Sequence, residues 1–481
     1  MIFSHHTESY SLLRIIARFA KLKKLQLFVV GGILRDMLVR RIKENPDIDF
    51  CLKSGAIAFG RDLAKRLKAG FVVLDKERGY CRLVKRIKDK SYTLDFTDFR
   101  GAALEDDLRS RDFTINAMAL EIEQIFGRDP AHFLIDPWGG QKDIQKRAIR
   151  ITHKDNFADD ALRILRAFSL SATFGFKIEK QTVALMKRYK EKLRDVSPER
   201  IRDELFKILD VPDAFHYLVE MDGLMILKFI IPEIEVMRGV RQGPYHHLDV
   251  LKHSFEAVRQ LELVFEELKR NKKITAYLDE RLSSDRRRRS LMKLAELLHD
   301  IGKPSALRRK EGKTIFHGHE RIGADICGEI IKRLRLSNDE LEALRKMVFW
   351  HLRPGYLADN QEVSRRAKFR YFRDTAAEGV SVLLVSIADQ RATRGRLTSE
   401  EDRIQHERIC LGLIKEYFRR AKETKPARLI NGDMLMKKLK IGPSPLIGSI
   451  LSELEELQAI GKIKTKQQAL HAARDILRAK N

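Results

Sequence analysis

The sequence predicts an α+β domain over residues 1–150 and an all-α remainder. Short apolar runs that alternate with polar residues and end in turns lie before residue 100, a pattern typical of strands. From about residue 156 onward, apolar residues recur at helical spacing instead. The chain has 481 residues, which is too many for one hydrophobic core. We therefore expect roughly three or four domains.

The composition indicates a globular protein whose partner is a polyanion. Hydrophobic residues make up 43% of the chain, the formal net charge is +26, and the isoelectric point is 9.8. Clustered Lys and Arg release counterions from a phosphate backbone when they bind it, so nucleic acid is the expected partner. A membrane surface is the alternative, but no apolar run approaches the roughly 20 residues that span a bilayer. We expect no membrane partner.

The cysteines indicate a reducing compartment. Cys51, Cys81, Cys327 and Cys410 lie far apart and lack C-x-x-C spacing. Neither a zinc knuckle nor a disulfide framework is therefore indicated. The basic, amphipathic start of the chain lacks the features of a signal peptide, so we expect a cytoplasmic protein.

Residues 27–50 contain a pattern suited to binding a triphosphate. An apolar run ends in Gly31-Gly32 and is followed by a helix-forming segment, which predicts strand, tight turn and helix. Glycines allow backbone N–H groups to approach a phosphate closely, and the N-terminus of a helix supplies partial positive charge. A phosphate can therefore lie on this turn.

Two carboxylates follow on the next strand. Alternation along a strand sends Asp47 and Asp49 to one face, and Ile48 and Phe50 to the other. Such a pair can bind Mg²⁺, which neutralises a triphosphate and activates a hydroxyl for in-line attack. Taken alone, D-x-D is common at strand edges and in loops. Its combination with the upstream glycine turn indicates phosphoryl or nucleotidyl transfer.

The compound signature GG-x-x-R-D followed by D-x-D resembles the opening motif of the DNA polymerase β-like nucleotidyltransferases. More narrowly, it resembles tRNA CCA-adding enzymes and bacterial poly(A) polymerases. The resemblance implies a polymerase β-like nucleotidyltransferase head, in which Gly31, Gly32 and Arg35 hold the triphosphate while Asp47 and Asp49 hold Mg²⁺.

A third carboxylate is expected on a later strand. A helix over residues 56–68 leads into strand-like runs at 71–74, 80–86 and 92–99. Asp95 has apolar neighbours in the last of these runs and is our candidate for a third metal carboxylate. Asp98 is the competing candidate.

The segment RSRDFTINA resembles the R-R-D-F-T-[IV]-N-A motif of the same family, with Ser110 in the place of its first Arg. The resemblance implies that Arg111, Asp112 and Asn116 contact the ribose and phosphates of the incoming nucleotide. Alternatively, Asp112 and Asn116 cap a helix.

The segment DDALRILRA is expected to select the base. Asp160, Arg163 and Arg166 are spaced to share one helical face. Cytosine and adenine both present an amine donor beside an unprotonated ring nitrogen, which an Asp acceptor and an Arg donor match. The alternative is a surface ion pair. The segment resembles the E-D-x-x-R motif of the CCA-adding family, with Asp159 in the Glu position.

Residues 196–209 resemble the fifth motif of that family. The resemblance implies that Glu199, Arg200 and Glu204 support the helices of the nucleotide site.

A second chemistry is indicated between residues 245 and 395. His299-Asp300 lies within L-L-H-D-I-G-K-P, which resembles the HD metal-dependent phosphohydrolases. The resemblance implies a first metal site formed by His253, His299, Asp300 and Asp389, and a second metal held by His319 and His351. Imidazole-rich ligands favour transition metals such as Mn²⁺, Ni²⁺ or Co²⁺. Lys303 is a candidate for contacting the substrate phosphate.

The run Arg286 to Arg289 is most simply a solvated helix start, with RNA contact as the alternative. The final region is again helical and resembles the C-terminal region of CCA-type enzymes that carry an HD domain.

These observations predict four domains: a head over residues 1–150, a helical neck and body over 151–240 that binds nucleotide and tRNA, an HD domain over 241–395, and a helical tail over 396–481. The expected function is template-independent addition of C and A, or of A or CC only, to tRNA 3′ ends from CTP and ATP, with a metal-dependent phosphohydrolase activity in the HD domain. One alternative is a poly(A) polymerase acting on RNA 3′ ends. Another is an HD phosphohydrolase with a dormant RNA-binding head.

Overall fold

The computed structural model describes residues 8–41, 47–359, 362–420 and 427–480. The chain forms two compact units. The first contains Met1–Ile208 and Leu224–Ile230, and the second contains Leu209–Gly223 and Ile231–Asn481.

The first unit opens with the predicted α+β region. Its helices and strands are α1 (Glu8–Leu22), β1 (Phe28–Val30), α2 (Gly32–Leu38), β2 (Ile48–Leu52), α3 (Ala56–Leu67), β3 (Gly70–Asp75), β4 (Tyr80–Ile87), β5 (Lys90–Asp98), α4 (Leu104–Ser110) and β6 (Ala119–Glu121). The strands form one six-stranded sheet in the order β3-β4-β5-β2-β1-β6. The predicted strands and helix of this region are confirmed to within a few residues.

Register places the acidic residues of the two central strands side by side. Strand β2 runs parallel to β5, with Asp49 beside Asp95 and Phe50 beside Phe96. The two Phe rings stack with centroids 4.7 Å apart in the head core. Because successive side chains of a strand point to opposite faces, burying these rings directs both carboxylates to the other face.

The rest of the first unit is mainly helical. It contains α5 (Gly140–Gln145), β7 (Ala148–Ile149), α6 (Asn156–Asp159), α7 (Leu162–Phe174), β8 (Lys177–Ile178), α8 (Lys180–Tyr189), α9 (Pro198–Leu209) and α11 (Leu227–Ile230). Strands β7 and β8 pair in parallel and join the end of the head to the helices that follow.

The second unit is helical with two small hairpins. It contains α10 (Ala214–Gly223), α12 (Val250–Leu268), α13 (Lys272–Leu278), β9 (Arg281–Ser283), β10 (Arg286–Arg287), α14 (Arg288–Leu298), α15 (Lys303–Ala306), β11 (Arg308–Lys310), β12 (Lys313–Ile315), α16 (His319–Arg333), α17 (Asn338–Trp350), α18 (Arg353–Ala358), α19 (Arg365–Thr375), α20 (Gly379–Ala392), α21 (Glu400–Arg420), α22 (Gly432–Leu439), α23 (Pro445–Ala459) and α24 (Lys466–Lys480). The hairpins pair β9 with β10 and β11 with β12.

The arginine run at the start of α14 differs from its prediction as a solvated helix start. Arg288 is 3% exposed, forms ion pairs with Glu280 and Glu378, and lies 4.4 Å from the ring centroid of Tyr277. Arg286 makes two hydrogen bonds to the buried carboxylate of Glu340. The solvated interpretation is wrong for these two side chains, because acidic residues distant in sequence compensate their charge inside the domain.

The C-terminal helices α22, α23 and α24 share a separate small core built around residues such as Leu435, Ile450 and Ala469. All four cysteines are free, in agreement with their spacing, and all four are buried. In the part of the chain that the structure describes, no helix is long and apolar enough to cross a membrane.

Candidate active site and candidate metal centre

The glycine turn lies directly against the first carboxylate. Strand β1 pairs antiparallel with β2, which places Val30 opposite Asp49, and the chain then turns at Gly31 with φ of 79°. A Cβ atom at Gly31 would lie 3.0 Å from Oδ2 of Asp49 and 3.3 Å from Nη1 of Arg111. Only glycine leaves this space open while adopting a left-handed backbone.

Replacing Gly31 with alanine should lower nucleotide incorporation by at least about tenfold, the equivalent of about 1.4 kcal/mol, because strain and contact with Asp49 both disturb the site. Gly55→Ala is the matched control, since Gly55 has φ of 87° in the same domain and its added Cβ would meet nothing within 4 Å. Incorporation rates and melting curves of the two variants make the comparison. Equal incorporation by both variants would contradict the assigned position of the turn.

The two aligned carboxylates lie in different electrostatic surroundings. Burial raises the pKa of the Asp49 carboxyl to about 6; Arg111 opposes the shift, whereas Asp95 and Asp47 add to it. Asp95 accepts hydrogen bonds from Tyr80 Oη at 2.7 Å and from Arg82 Nε at 2.7 Å. Asp47 is exposed at the start of β2. A bound divalent cation would compensate the crowded negative charge at Asp49.

The competing candidate for the third carboxylate has a local role. Asp98 Oδ1 accepts a hydrogen bond from the backbone N–H of Ala56 at 2.8 Å, which satisfies the first turn of α3. Because β2 and β5 pair with Asp49 beside Asp95 and Leu52 beside Asp98, Asp95 rather than Asp98 shares the face of Asp49.

Arg35 of α2 is held by several contacts. Its guanidinium donates to Asn116 Oδ1 at 2.6 Å and to Asp36 Oδ1 at 2.7 Å. The same group lies 4.4 Å from the ring centroid of Phe174 at the end of α7. These contacts join the glycine turn, the residue 111–116 segment and α7 around the guanidinium of Arg35.

Asp112 anchors the residue 111–116 segment to α7. Arg166 donates from Nε to Asp112 Oδ2 at 2.8 Å, and Asn116 donates to Oδ1 at 3.0 Å. Burial alone would raise the pKa of Asp112, but Arg166 and the hydrogen bonds from Asn116 and the Phe113 backbone lower it to about 2. Asp112 is therefore ionised at neutral pH. The helix-capping alternative for Asp112 and Asn116 does not describe these contacts.

The base-selection residues are arranged differently from the prediction. Asp160 lies in extended backbone between α6 and α7, so the three residues do not share one continuous helix. Its carboxylate accepts from Leu162 N–H at 3.2 Å and pairs with Arg200 at 2.7 Å. Arg163 is 8% exposed and donates to the backbone carbonyl of Ser110 at 2.8 Å.

Arg200 and Glu204 of α9 contact these residues, as expected for supporting groups. Glu204 accepts a short hydrogen bond from Ser169 and lies 3.5 Å from Arg166.

A cavity of about 1020 Å³ collects nearly all the predicted nucleotide-site residues of the first unit. Its lining includes Gly31, Gly32, Arg35, Asp49, Asp95, Arg111, Asp112, Asn116, Asp160, Arg163 and Arg166. Carboxylates and guanidinium groups facing one space can hold a cation together with a phosphate chain.

The second unit holds a separate group of potential metal ligands. In the described residues, two ligand sets have their atoms within 4.8 Å of one another: His253, His299 and Asp389, and Asp300, His319 and His351. Asp300 links them, because its Oδ2 is 3.2 Å from Nε2 of His299 and its Oδ1 is 3.3 Å from Nε2 of His319. The structure thus brings all six predicted HD residues together.

Backbone carbonyls fix the tautomer of three of these histidines. Nδ1 of His299, His319 and His351 lies 2.7, 2.7 and 2.6 Å from the carbonyl oxygen three residues earlier. A carbonyl only accepts, so each Nδ1 carries a proton, and a neutral ring then presents the lone pair of Nε2 to the centre. This is the arrangement that metal ligation requires.

Buried polar atoms of this centre also fit a bound cation. Nε2 of His299 and both carboxylate oxygens of Asp300 are buried and make no hydrogen bond of normal geometry. The Lys303 ammonium lies 2.6 Å from Asp300 Oδ2 and donates to Gln242 at 2.6 Å. The sequence predicts a phosphate contact for Lys303; in the structure its ammonium contacts Asp300, a predicted metal ligand.

A glycine allows two helices of the centre to approach each other closely. A Cβ atom at Gly302 would lie 2.1 Å from the carbonyl oxygen of His319, so the H-D-I-G-K segment needs glycine for α15 to reach α16.

Several residues of the first site carry no motif of their own. Tyr80 and Arg82 hold Asp95, Phe174 stacks on Arg35, and Asp107 accepts two hydrogen bonds from Arg111. Of these contacts, only the one between Arg82 and Asp95 could be inferred from strand pairing, because the two residues lie directly opposite each other in the β4–β5 register.

Three family profiles match the chain. The "Poly A polymerase head domain" matches residues 27–150, the "Probable RNA and SrmB- binding site of polymerase A" matches residues 175–237, and the "HD domain" matches residues 250–394. The fold and the first site thereby define a nucleotidyltransferase with an attached HD domain. Proteins with these domains generally need divalent metal ions, in agreement with the ligand groups of the second unit.

Curated relatives extend over nearly the whole chain. An A-adding tRNA nucleotidyltransferase of Deinococcus radiodurans is 33% identical over 452 residues, covering 92% of this chain and 93% of the relative. A CC-adding tRNA nucleotidyltransferase of Thermus thermophilus is 29% identical and covers 92% of both chains. The chain belongs to the tRNA nucleotidyltransferase family, which confirms the family and enzyme class predicted from its motifs.

Solved structures share the fold. One match is a Thermotoga maritima CCA-adding enzyme complexed with tRNA, with a TM-score of 0.62 and 22% identity. The superposition covers 98% of this chain and 96% of the enzyme. A CCA-adding enzyme in complex with ATP gives a TM-score of 0.64 at 23% identity. This match covers 98% of the present chain and 94% of that enzyme. The predicted fold, an α+β polymerase β-like head with a mainly helical remainder, is confirmed.

Proposed function

We propose that this protein adds C and A, or A or CC only, to the 3′ ends of tRNA from CTP and ATP without a template. The single observation that carries this proposal is the cavity of the first unit, where the Gly31 turn, Asp49 and a set of arginines face one another. The relatives named for A addition and CC addition to tRNA support the substrate. A tRNA substrate also implies a cytoplasmic location.

Asp47 and Asp49, with Asp95 beside them, would hold Mg²⁺, which supplies charge neutralisation and a more acidic attacking hydroxyl. The Gly31-Gly32 turn offers backbone N–H groups to the triphosphate. Arg35 adds a cation that Asn116 and Phe174 hold in place. Arg111, Asp112 and Asn116 position the ribose and phosphates. Fixed donors of this kind lower the barrier because they need no rearrangement as charge develops.

Base selection falls to Asp160 and Arg163. In the structure Asp160 pairs with Arg200, and Arg163 donates to backbone carbonyls. Reading an incoming base therefore requires an exchange of partners, in which Arg166 stays anchored on Asp112. The functional domains would be a head over 1–150, a nucleotide- and tRNA-binding neck over 151–240, an HD domain over 241–395 and a tail over 396–481.

The second unit would supply metal-dependent phosphoester hydrolysis. Its Nε2 and carboxylate donors fit Mn²⁺, Ni²⁺ or Co²⁺ better than Mg²⁺, since imidazole ligands suit transition metals. His253, His299, Asp300 and Asp389 would hold a first ion, and His319 and His351 would share Asp300 with a second.

A poly(A) polymerase is the second candidate function, favoured by the head-domain profile alone. One assay separates the candidates: tRNAs ending in -N, -NC or -NCC are incubated with each labelled NTP and Mg²⁺. Addition that stops after CCA, CC or A supports the proposal, whereas long A tracts on any RNA overturn it.

Binding of tRNA should weaken steeply with salt. The net charge of +26 implies several phosphate contacts, and each contact contributes about −0.7 to −0.9 to the slope of log affinity against log salt. Fluorescence anisotropy of labelled tRNA from low to physiological salt measures this slope. A flat response would indicate a partner other than nucleic acid.

A further inference from the structure

A short hairpin of the second unit carries concentrated positive charge. Strands β11 and β12 pair with Lys310 opposite Lys313, and the two residues between them, Glu311 and Gly312, have φ of 51° and 72°. Positive φ at both positions is characteristic of the tight turn that best matches strand twist. The hairpin backbone therefore has a defined turn geometry. Residues 308–313 are all exposed, and four of these six are Arg or Lys.

This charge is not compensated within the described part of the protein. Arg309, Lys310 and Lys313 form no ion pair there, and Arg308 donates to the adjacent Leu307 carbonyl at 2.9 Å. Other surface arginines of the unit have partners, for example Arg345 with Asp325 at 2.8 Å. Basic side chains also protect exposed strand edges from aggregation, so charge alone does not define a binding site.

The position of the hairpin supplies the second observation. Its first strand follows the helix that begins at Lys303, whose ammonium lies 2.6 Å from Asp300. Its second strand leads to Phe316, whose carbonyl oxygen lies 2.7 Å from Nδ1 of His319. The Lys303 ammonium also lies 5.7 Å from the Phe316 ring centroid. Both ends of the hairpin are therefore fixed to the candidate metal centre.

The hairpin is also close enough to the centre to act on the same molecule. Lys313 and His319 lie six positions apart in the chain, a span of at most about 20 Å even if fully extended. A phosphate chain with a charge on every unit can contact these cationic groups and the centre at the same time.

We propose that the β11–β12 hairpin binds the backbone of an RNA strand and presents it to the HD centre. The substrates of that centre would then be phosphoesters carried on RNA rather than free small phosphoesters. This inference rests on the hydrolase function proposed above. RNA is favoured over an acidic protein because the whole chain is strongly basic and the fixed, closely spaced cations match regularly spaced phosphates.

The test compares three full-length proteins. The hairpin variant carries Arg308→Glu, Arg309→Glu and Lys310→Glu. The matched control carries Arg270→Glu, Lys272→Glu and Lys273→Glu, three exposed basic residues at another surface of the same unit. Both variants change the net charge equally. Metal binding measured by calorimetry verifies that the centre is intact in each.

The first measurement does not depend on catalysis. A single-stranded RNA oligonucleotide with photoreactive uridines is cross-linked to each protein, and the adducts are mapped by mass spectrometry. We expect adducts within residues 308–316 of the wild type and of the control, and their loss from the hairpin variant. Absence of wild-type adducts in this segment would overturn the proposal.

The second measurement is inhibition by the same RNA of Mn²⁺-dependent hydrolysis of bis(p-nitrophenyl) phosphate. The half-inhibitory RNA concentration should rise at least about tenfold in the hairpin variant and little in the control, because phosphate contacts are lost only in the former. Equal effects in both variants, or polyglutamate inhibiting as strongly as RNA, would overturn RNA recognition by the hairpin. If the wild type hydrolyses nothing, the hydrolase function fails, and the cross-links still decide the hairpin's role.

Discussion

Replacing Asp49 with alanine should lower nucleotide incorporation by at least about a thousandfold, because metal stabilisation of the developing charge is worth several kcal/mol. Asp49 lies between the Gly31 turn and Asp95, and no other described carboxylate occupies that position on the sheet. Asp47→Ala should act in the same direction. Binding of tRNA should change little, since the basic surface remains. Single-turnover incorporation of labelled ATP and CTP measures the effect.

Asp62→Ala is the control for this experiment. Asp62 is a half-exposed carboxylate on α3 of the same domain, and it forms an ion pair with Lys23 at 2.6 Å. Its loss should leave incorporation unchanged. Should Asp49→Ala retain activity within tenfold of the wild type while folding normally, the assignment of the catalytic carboxylate would be wrong.

Replacing Asp300 with alanine should abolish phosphoester hydrolysis and leave nucleotide addition intact. Asp300 is 1% exposed and approaches His253, His299, His319 and His351 within 3.8 Å. Its loss removes the carboxylate that links the two ligand sets and leaves Lys303 buried beside the histidines. Binding of Mn²⁺ by calorimetry should fall together with hydrolysis of a 2′,3′-cyclic nucleotide. Asp49→Ala should have the opposite pattern.

Two further variants keep this result interpretable. Asp300→Asn preserves the shape of the side chain if the alanine variant unfolds. Asp325→Ala removes an exposed carboxylate of α16, and it should affect neither activity. Loss of nucleotide addition in a well-folded Asp300 variant would show that the two chemistries form one coupled centre.

Much of the head could be predicted because its information is local. The alternation of Ile48, Asp49 and Phe50 fixes which side chains face the core, and the glycine turn determines where the next helix starts. The HD residues were also identifiable, since adjacent His and Asp before a glycine form a distinctive pattern. Their approach within 4.8 Å required the packing of helices distant in sequence.

The remaining features depend on partners that sequence spacing does not reveal. Asp160 was expected on a helix, yet its carboxylate accepts the Leu162 N–H and leaves the helix to begin after it. Arg286 and Arg288 are expected in solvent, but the structure pairs them with Glu340 and Glu378. These partners lie so far along the chain that sequence spacing does not reveal them. Asp95 is expected as a metal ligand, and its contact with Arg82 follows only from the pairing of β4 with β5, which no single motif contains.

The hydrogen bonds from Nδ1 of His299, His319 and His351 to carbonyls of their own helices or turns have a consequence for affinity. Each ring is already confined to one rotamer and one tautomer, so ion capture removes little side-chain conformational entropy. As the proposed ligands, the three rings would act as a preassembled chelate rather than as independent imidazoles. Exchange of the ion should therefore be slow, and size mismatch should be poorly tolerated, because the rings cannot swing outward to fit a larger cation.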